Sequence, residues 1–260
     1  MSRIALDRIA PWLTALIFFV LWGAVVKIFH IENFVLPSPI EAFSAIYQFR
    51  DGLLVHGLAT LTTTLAGFAL SVFFGLILGI LVGSFRLVYS SLYPLLIAFN
   101  SVPKAAIVPL LVIWFGVGTI PAIVTAFLLS FFPVVVNVAT GFATIEPELL
   151  DVLRVLGASR RDMILRVGIP RSLPYFFASL KIAITLSFVG TVIAEIIAGN
   201  NGIGNVMLIA SSNFNVPLVF AALIVVGVMG IGMYAIFALL ETRFTSWSVR
   251  GSGLEHPIGG

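Results

Sequence analysis

The residues able to do ionic chemistry are gathered in one place. Between positions 146 and 171 the sequence EPELLDVLRVLGASRRDMILRVGIPR holds Glu146, Glu148, Asp151, Arg154, Arg160, Arg161, Asp162, Arg166 and Arg171. That is nine side chains from a complement of 14 Lys and Arg and 11 Asp and Glu in 260 residues. Acids and bases are mixed, and no histidine or cysteine is among them. Three further ionisable residues, Lys104, Lys181 and Glu195, fall inside apolar runs, where each costs about 2.5–3.5 kcal/mol to insert. Lys181 sits close enough to the end of its run to snorkel. Lys104 and Glu195 are expected to face a pathway or to pair with each other, an interfacial Glu195 being the alternative. Asn100 and Asn137 join them as pathway candidates. His30, His56 and His256 are scattered and build no metal set, and there are no cysteines. No GxxxxGK[ST] occurs, and the loose GxGxxA at Gly230–Ala235 has no strand before it. Neither a catalytic nor a metal site is expected, and nothing points to nucleic acid.

The elements that must carry the charged stretch read as two short helices with a hinge. Pro147 suits a first helical turn, and Leu149, Val152, Leu153 and Leu156 follow on one face, opposite Glu148, Asp151 and Arg154. Gly157 can take the left-handed conformation that ends a helix, Ala158 follows, and Ser159 with Asp162 forms a capping-box pattern for the second helix. That helix turns Met163, Ile164 and Val167 inward and is expected to stop at Gly168 and Pro170. A side chain at 157 is expected to cost about 1 kcal/mol or more in backbone strain, and a bulky one such as valine to add a steric block at the turn.

Around this knob the chain is 60% hydrophobic and 10% charged, with a mean hydropathy of +1.16. No soluble core absorbs that much apolar surface, so the fold class is all-α, a polytopic membrane protein. Six transmembrane helices are expected, at about residues 9–26, 58–83, 88–114, 122–143, 175–198 and 217–240. The first is read as an uncleaved span rather than a signal peptide. Leu36-Pro37-Ser38-Pro39-Ile40-Glu41 carries a helix-start signal, and Ile40, Phe43, Ile46 and Tyr47 suggest a short helix along the outer membrane surface. The second span repeats Gly67, Ser71, Gly75, Gly79 and Gly83 at four-residue intervals, a stripe for close helix contact within the chain or across a dimer seam. Asn100, Pro103, Lys104 and Pro109 predict that the third span is kinked or broken. Gly199 to Gly204 reads as loop, part of an outer segment from Asn200 to Asn215. The organisation is thus residues 1–57 for the first span and outer helix, 58–250 for the main transmembrane domain with the charged loop at 144–173, and 251–260 as a flexible tail.

Charge placement orients the chain. With the N-terminus inside, Arg3, Arg8, Arg86, Arg154, Arg160, Arg161, Arg166, Arg171, Arg243 and Arg250 are cytoplasmic, whereas Lys27 and Arg50 are outside. Both termini and the charged loop are therefore expected in the cytoplasm.

The charged loop resembles the EAA loop of bacterial ABC importer permeases, whose pattern is Glu-Ala-Ala, three residues, Gly, nine residues, Ile, any residue, Leu-Pro. Asp151, Val152 and Leu153 stand at the Glu-Ala-Ala positions, Gly157 at the Gly, and Val167, Gly168, Ile169 and Pro170 at the last four. The spacing is kept, while the acid is shortened and both alanines are larger. The LPSP stretch is similar to the nitrate, sulfonate and taurine branch, the binding-protein-dependent transport inner membrane components. The resemblance implies a permease subunit in the bacterial inner membrane, surrounded by lipid. It further implies a homodimer with two cytoplasmic ATPase subunits and an extracytoplasmic solute-binding protein, with ATP and Mg held by the ATPase and no cofactor in this chain. Glu148, Asp151, Arg154, Gly157, Ala158, Ser159, Arg160, Arg161 and Pro170 would form the coupling-helix loop that docks on the ATPase. The solute would be a small anion such as nitrate, a sulfonate, taurine or bicarbonate, with a pyrimidine or other small organic solute as the alternative. An ion-coupled secondary transporter is the rival class, and it would require matching broken helices in internal repeats, which the two halves do not display.

Overall fold

A computed structural model describes residues 3–245; the tail at 251–260, with Arg250 and His256, lies outside the described residues. The chain forms α1 (Arg3–Ile28), α2 (Pro39–Gln48), α3 (Arg50–Ser84), α4 (Arg86–Ser101), a 3-10 turn (Lys104–Ile107), α5 (Val108–Phe115) and α6 (Thr119–Ala143). After these come α7 (Pro147–Val155), α8 (Arg160–Met163), a π turn (Ile164–Gly168), α9 (Ile169–Ala198), α10 (Ile203–Ser212) and α11 (Val216–Phe244). Five helical stretches are long and apolar enough to cross a membrane, and the α4–α5 pair makes a sixth if it counts as one bent span. Five of the six expected spans are thus present, and the expected third corresponds to the bent pair.

Local chemistry explains the breaks. Ser38 accepts from Glu41 N–H at 3.3 Å while the Glu41 carboxylate accepts from Ser38 N–H at 2.7 Å, the reciprocal cap that starts α2. The face of α2 that is buried is Ala42 and Ala45, whereas Ile40, Phe43 and Tyr47 are exposed. Between α4 and α5, Pro103 holds Val102 in extended backbone (φ −71°, ψ 129°), and the two helices meet at a bend of 78°. The third span is therefore broken, as its prolines predict.

Two expectations need correction. Pro170 does not stop a helix: the helical stretch Arg161–Ala198 runs for 38 residues, roughly 57 Å at 1.5 Å per residue, against about 30 Å of hydrocarbon. The π turn accommodates the proline, because Ile169 N–H reaches back five residues to Ile164 O and the widened turn makes room for the ring. Second, the segment after Gly202 is not all loop, since Ile203–Ser212 forms the ten-residue helix α10.

The core is the triple contact of α3, α6 and α9. The glycine stripe of α3 lies directly against α6: a Cβ added at Gly75 or Gly79 would stand 2.7 Å from the Cβ of Val134 or Val138. The stripe is therefore used within the chain, not across a seam between copies. Hydroxyls tie the same helices together. Ser71 and Ser130 are 2.6 Å apart, Ser187 donates to Ser130 at 2.9 Å, and Thr64 donates to Thr191 at 3.0 Å. In a lipid environment such bonds add to close packing as the cohesive force between helices. Phe68, Val134, Val138, Phe142, Leu180, Ile184 and Phe188 fill the buried centre. α4, by contrast, has no buried residue.

Candidate functional site: a charged hairpin at the start of α9

α7 leaves α6 after a short turn and packs Leu149 partly against the core, beside Ile164, Val167 and Ile169. Its far face is open: Val152, Val155 and Leu156 are 55%, 88% and 76% exposed. Of the apolar stripe read from the sequence, only Leu149 and Leu153 turn partly inward. Glu148, Asp151 and Arg154 are exposed beside this apolar patch, and Arg154 donates to Asp151 at 2.5 Å.

The hinge closes as a Schellman turn. Ala158 N–H bonds Leu153 O at 2.9 Å, Gly157 N–H bonds Arg154 O at 3.0 Å, and Gly157 sits at φ +80°. An added Cβ at Gly157 would meet nothing within 4 Å. Within this chain a Cβ there meets no block, so the requirement for glycine that its own fold imposes is one of backbone conformation.

The second arm starts with the capping box read from the sequence. Asp162 N–H donates to Ser159 Oγ at 3.2 Å, and Ser159 N–H and Oγ donate back to Asp162 Oδ2 at 3.3 and 2.5 Å. The Ser159 hydroxyl, helped by Arg166 and Arg161 nearby, holds the Asp162 carboxyl below the usual carboxylate range. Asp162 and its neighbours precede the apolar part of the stretch that becomes α9. Arg160 opens α8, Arg161 is exposed, and Pro170 lies half-buried in the first turn of α9. Arg171 approaches Glu146 at 3.9 Å across the base of the hairpin. These ion pairs are exposed, so each contributes about 0–1 kcal/mol; the hairpin is held by its caps and by Leu149, Ile164 and Val167. Leu153, Leu156, Gly157, Ala158, Met163 and Arg166 border a hollow of about 340 Å³.

The four polar residues predicted within spans are not brought together. Lys104, at the α4–α5 break, donates to both the backbone and the side-chain carbonyl of Asn100, the latter at 2.7 Å, and lies 6.0 Å from the Phe99 ring. Asn137, half-buried on α6, donates to Pro133 O at 2.8 Å. Glu195 is 3% exposed, and among the described residues it forms no ion pair with Lys104. Its carboxylate instead accepts from Thr60 and from Gly204 N–H. Lys181, expected to snorkel, pairs with Glu241 of α11 and lies 6.0 Å from the Tyr234 ring. The sequence pointed to neither partner: Thr60 and Glu241 are 135 and 60 residues away from Glu195 and Lys181, and no local pattern encodes those separations.

Spans arranged around a small-residue core, with a capped and charged hairpin projecting from one end of the longest helical stretch, define a polytopic helical membrane subunit with a docking element. Residues 71–246 match the model of the family described as binding-protein-dependent transport system inner membrane component. The chain belongs to this family and is a permease subunit of an ABC importer, a multi-pass protein of the inner membrane. It is 32% identical over 236 residues to the riboflavin transport system permease protein of Chloroflexus aurantiacus, covering 90% of this chain and 88% of that one. The formylaminopyrimidine transport permease protein of Halalkalibacterium halodurans is 30% identical, with 93% and 96% covered. The nitrate import permease protein of Synechocystis is 30% identical, with 80% and 79% covered. In fold the chain resembles a chain of the inward-facing MetNI methionine ABC transporter, with a TM-score of 0.67, 17% identity, and 76% of this chain and 98% of that one covered.

Proposed function

We propose that two copies of this chain form the translocation pathway of an importer driven by two cytoplasmic ATPase subunits and supplied by an extracytoplasmic solute-binding protein, with both termini in the cytoplasm. The observation that carries this is the α7 face. Val152, Val155 and Leu156 are apolar and exposed, interleaved along α7 with the exposed Glu148, Asp151 and Arg154, and mounted on a hairpin whose ends are capped. An exposed apolar patch rimmed by charges is the anatomy of a docking surface. Glu148, Asp151, Arg154, Gly157, Ala158, Ser159, Arg160, Arg161 and Pro170 make up that element, the coupling loop. Asn100, Lys104 and Asn137 are the pathway residues. ATP and Mg belong to the partner, and this chain performs no hydrolysis.

For the solute, the accessible cation Lys104 beside Asn100 favours a small anion such as nitrate, a sulfonate, taurine or bicarbonate. The relatives named for riboflavin and formylaminopyrimidine, which align over nine-tenths of the chain, favour a second reading, a small nitrogen heterocycle. Uptake into vesicles decides both points. Transport that requires ATP, the ATPase subunit and the binding protein together supports the assembly, and transport driven by an ion gradient with neither partner overturns it. Competition by anions or by heterocycles then separates the two solute classes.

A further inference from the structure

Glu195 lies in the last turn of α9, at the end of that helix farthest from the hairpin. Thr60 of α3 donates its hydroxyl to both carboxylate oxygens, at 3.0 and 2.9 Å, and Gly204 N–H donates at 2.9 Å. The Thr60 oxygen in turn accepts Ile203 N–H at 2.8 Å, while Gly202 N–H goes to His56 Nδ1 at 3.2 Å. The leading N–H groups of α10, which have no acceptor within their own helix, are thus taken by side chains of α3 and α9. The buried carboxylate also sits at the positive end of the α10 dipole. The fit leaves no slack: a Cβ on Gly204 would stand 2.6 Å from the Glu195 Cβ, and one on Gly202, at φ +99°, would overlap the carboxylate. Gly118 N–H bonds Ala198 O at 3.2 Å, which brings the turn between α5 and α6 into the same knot.

We propose that Glu195 is a positioning residue, the joint that makes α10 and the α5–α6 turn ride on α9 as one body. A displacement imposed on the hairpin at one end of the long helical stretch then arrives at the α10 face at the other, where solute is received from the binding protein. The transmission half of this proposal rests on the proposed function; the joint itself does not.

Two measurements separate the halves. The cysteine-free chain takes spin labels at cysteines introduced at the exposed positions Val189 of α9 and Asn213 at the end of α10. The distance distribution between them is expected to be narrow in the wild type, broadened in Glu195→Ala, and narrow again in Glu195→Gln, which keeps an acceptor for Gly204 and Thr60. An unchanged width in Glu195→Ala overturns the joint. In the reconstituted complex, Glu195→Ala should bind the ATPase and hydrolyse ATP at the basal rate but lose about tenfold of the stimulation by binding protein, and Glu195→Gln should restore it. A broadened distribution with full stimulation overturns the transmission role. A wild-type chain that recruits no ATPase refutes the proposed function and the transmission half together, while the spin-label widths still decide the joint. Where Glu195→Ala fails to insert, Thr60→Val, which removes the bridging hydroxyl at similar volume, carries the same two measurements.

Discussion

Replacing Gly157 by valine tests the hinge with a perturbation whose size follows from its surroundings. Nothing lies within 4 Å of an added Cβ, so no packing cost enters. What remains is φ +80°, a conformation that costs an L-residue about 1–2 kcal/mol, with a β-branched residue at the upper end. At 1.4 kcal/mol per tenfold, the native turn loses about 5- to 30-fold in population relative to its alternatives. If the ATPase binds only the native turn, its apparent affinity falls by up to that factor, and by less where the native turn was strongly favoured to begin with. Gly157→Asn should lose much less, because asparagine tolerates the left-handed region. The spans are untouched, so insertion and thermal stability should be those of the wild type. Two readouts check this: titration of the purified permease with its ATPase, and hydrogen exchange at Ala158, whose N–H is bonded to Leu153 O. Faster exchange and weaker binding in Gly157→Val, with near-normal behaviour in Gly157→Asn, is the expected result. Wild-type exchange and affinity in Gly157→Val, or asparagine as damaging as valine, would refute the conformational argument.

Other outcomes follow from the packing and placement of single residues. Gly79→Leu forces a side chain against Val138 and should cost about 1–3 kcal/mol by overpacking, whereas Gly227→Leu, with open space around it, should be harmless; equal melting temperatures in detergent would contradict the stripe's role. Single cysteines should label from outside the cell at Asn201 and only from inside at Ser159, and the opposite pattern would reverse the proposed orientation. Lys104→Ala should reduce uptake while leaving insertion and ATPase docking intact, and unchanged uptake would remove Lys104 from the pathway.

What the sequence made legible was what is encoded locally. The caps at Ser38 and Ser159 and the break at Pro103 each depend on residues within a few positions, and each is found where the pattern puts it. The period of the glycine stripe was readable, but its partner on α6 was not, because nothing in α3 specifies which helix it will meet. The stop expected at Pro170 failed for a physical reason: a π turn can absorb a proline by shifting its bonds one residue back, and the sequence does not announce that option. α10 was missed because ten mostly apolar residues after a glycine-rich loop carry no cap of their own; its start is capped from other helices. For the same reason Glu195 was recognised as out of place in an apolar run while its partners stayed hidden. The exposed α7 face was visible only as a stripe of leucine and valine, with no indication of which members would stay uncovered.

The four-residue spacing of the α3 stripe also limits how the centre of the molecule can move. Gly67, Gly75, Gly79 and Gly83 receive Ala126, Val134, Val138 and Phe142 like teeth in a rack. The next position at which the teeth would again meet glycines is one repeat along, about 6 Å at 1.5 Å per residue. Any smaller slide drives Cβ groups into backbone, and the hydroxyls of Ser71, Ser130 and Ser187 would have to part company on the way. The α3–α6 mesh is therefore indexed rather than sliding, and conformational change in this permease has to be found in tilts of the whole mesh and in the lightly packed helices around it.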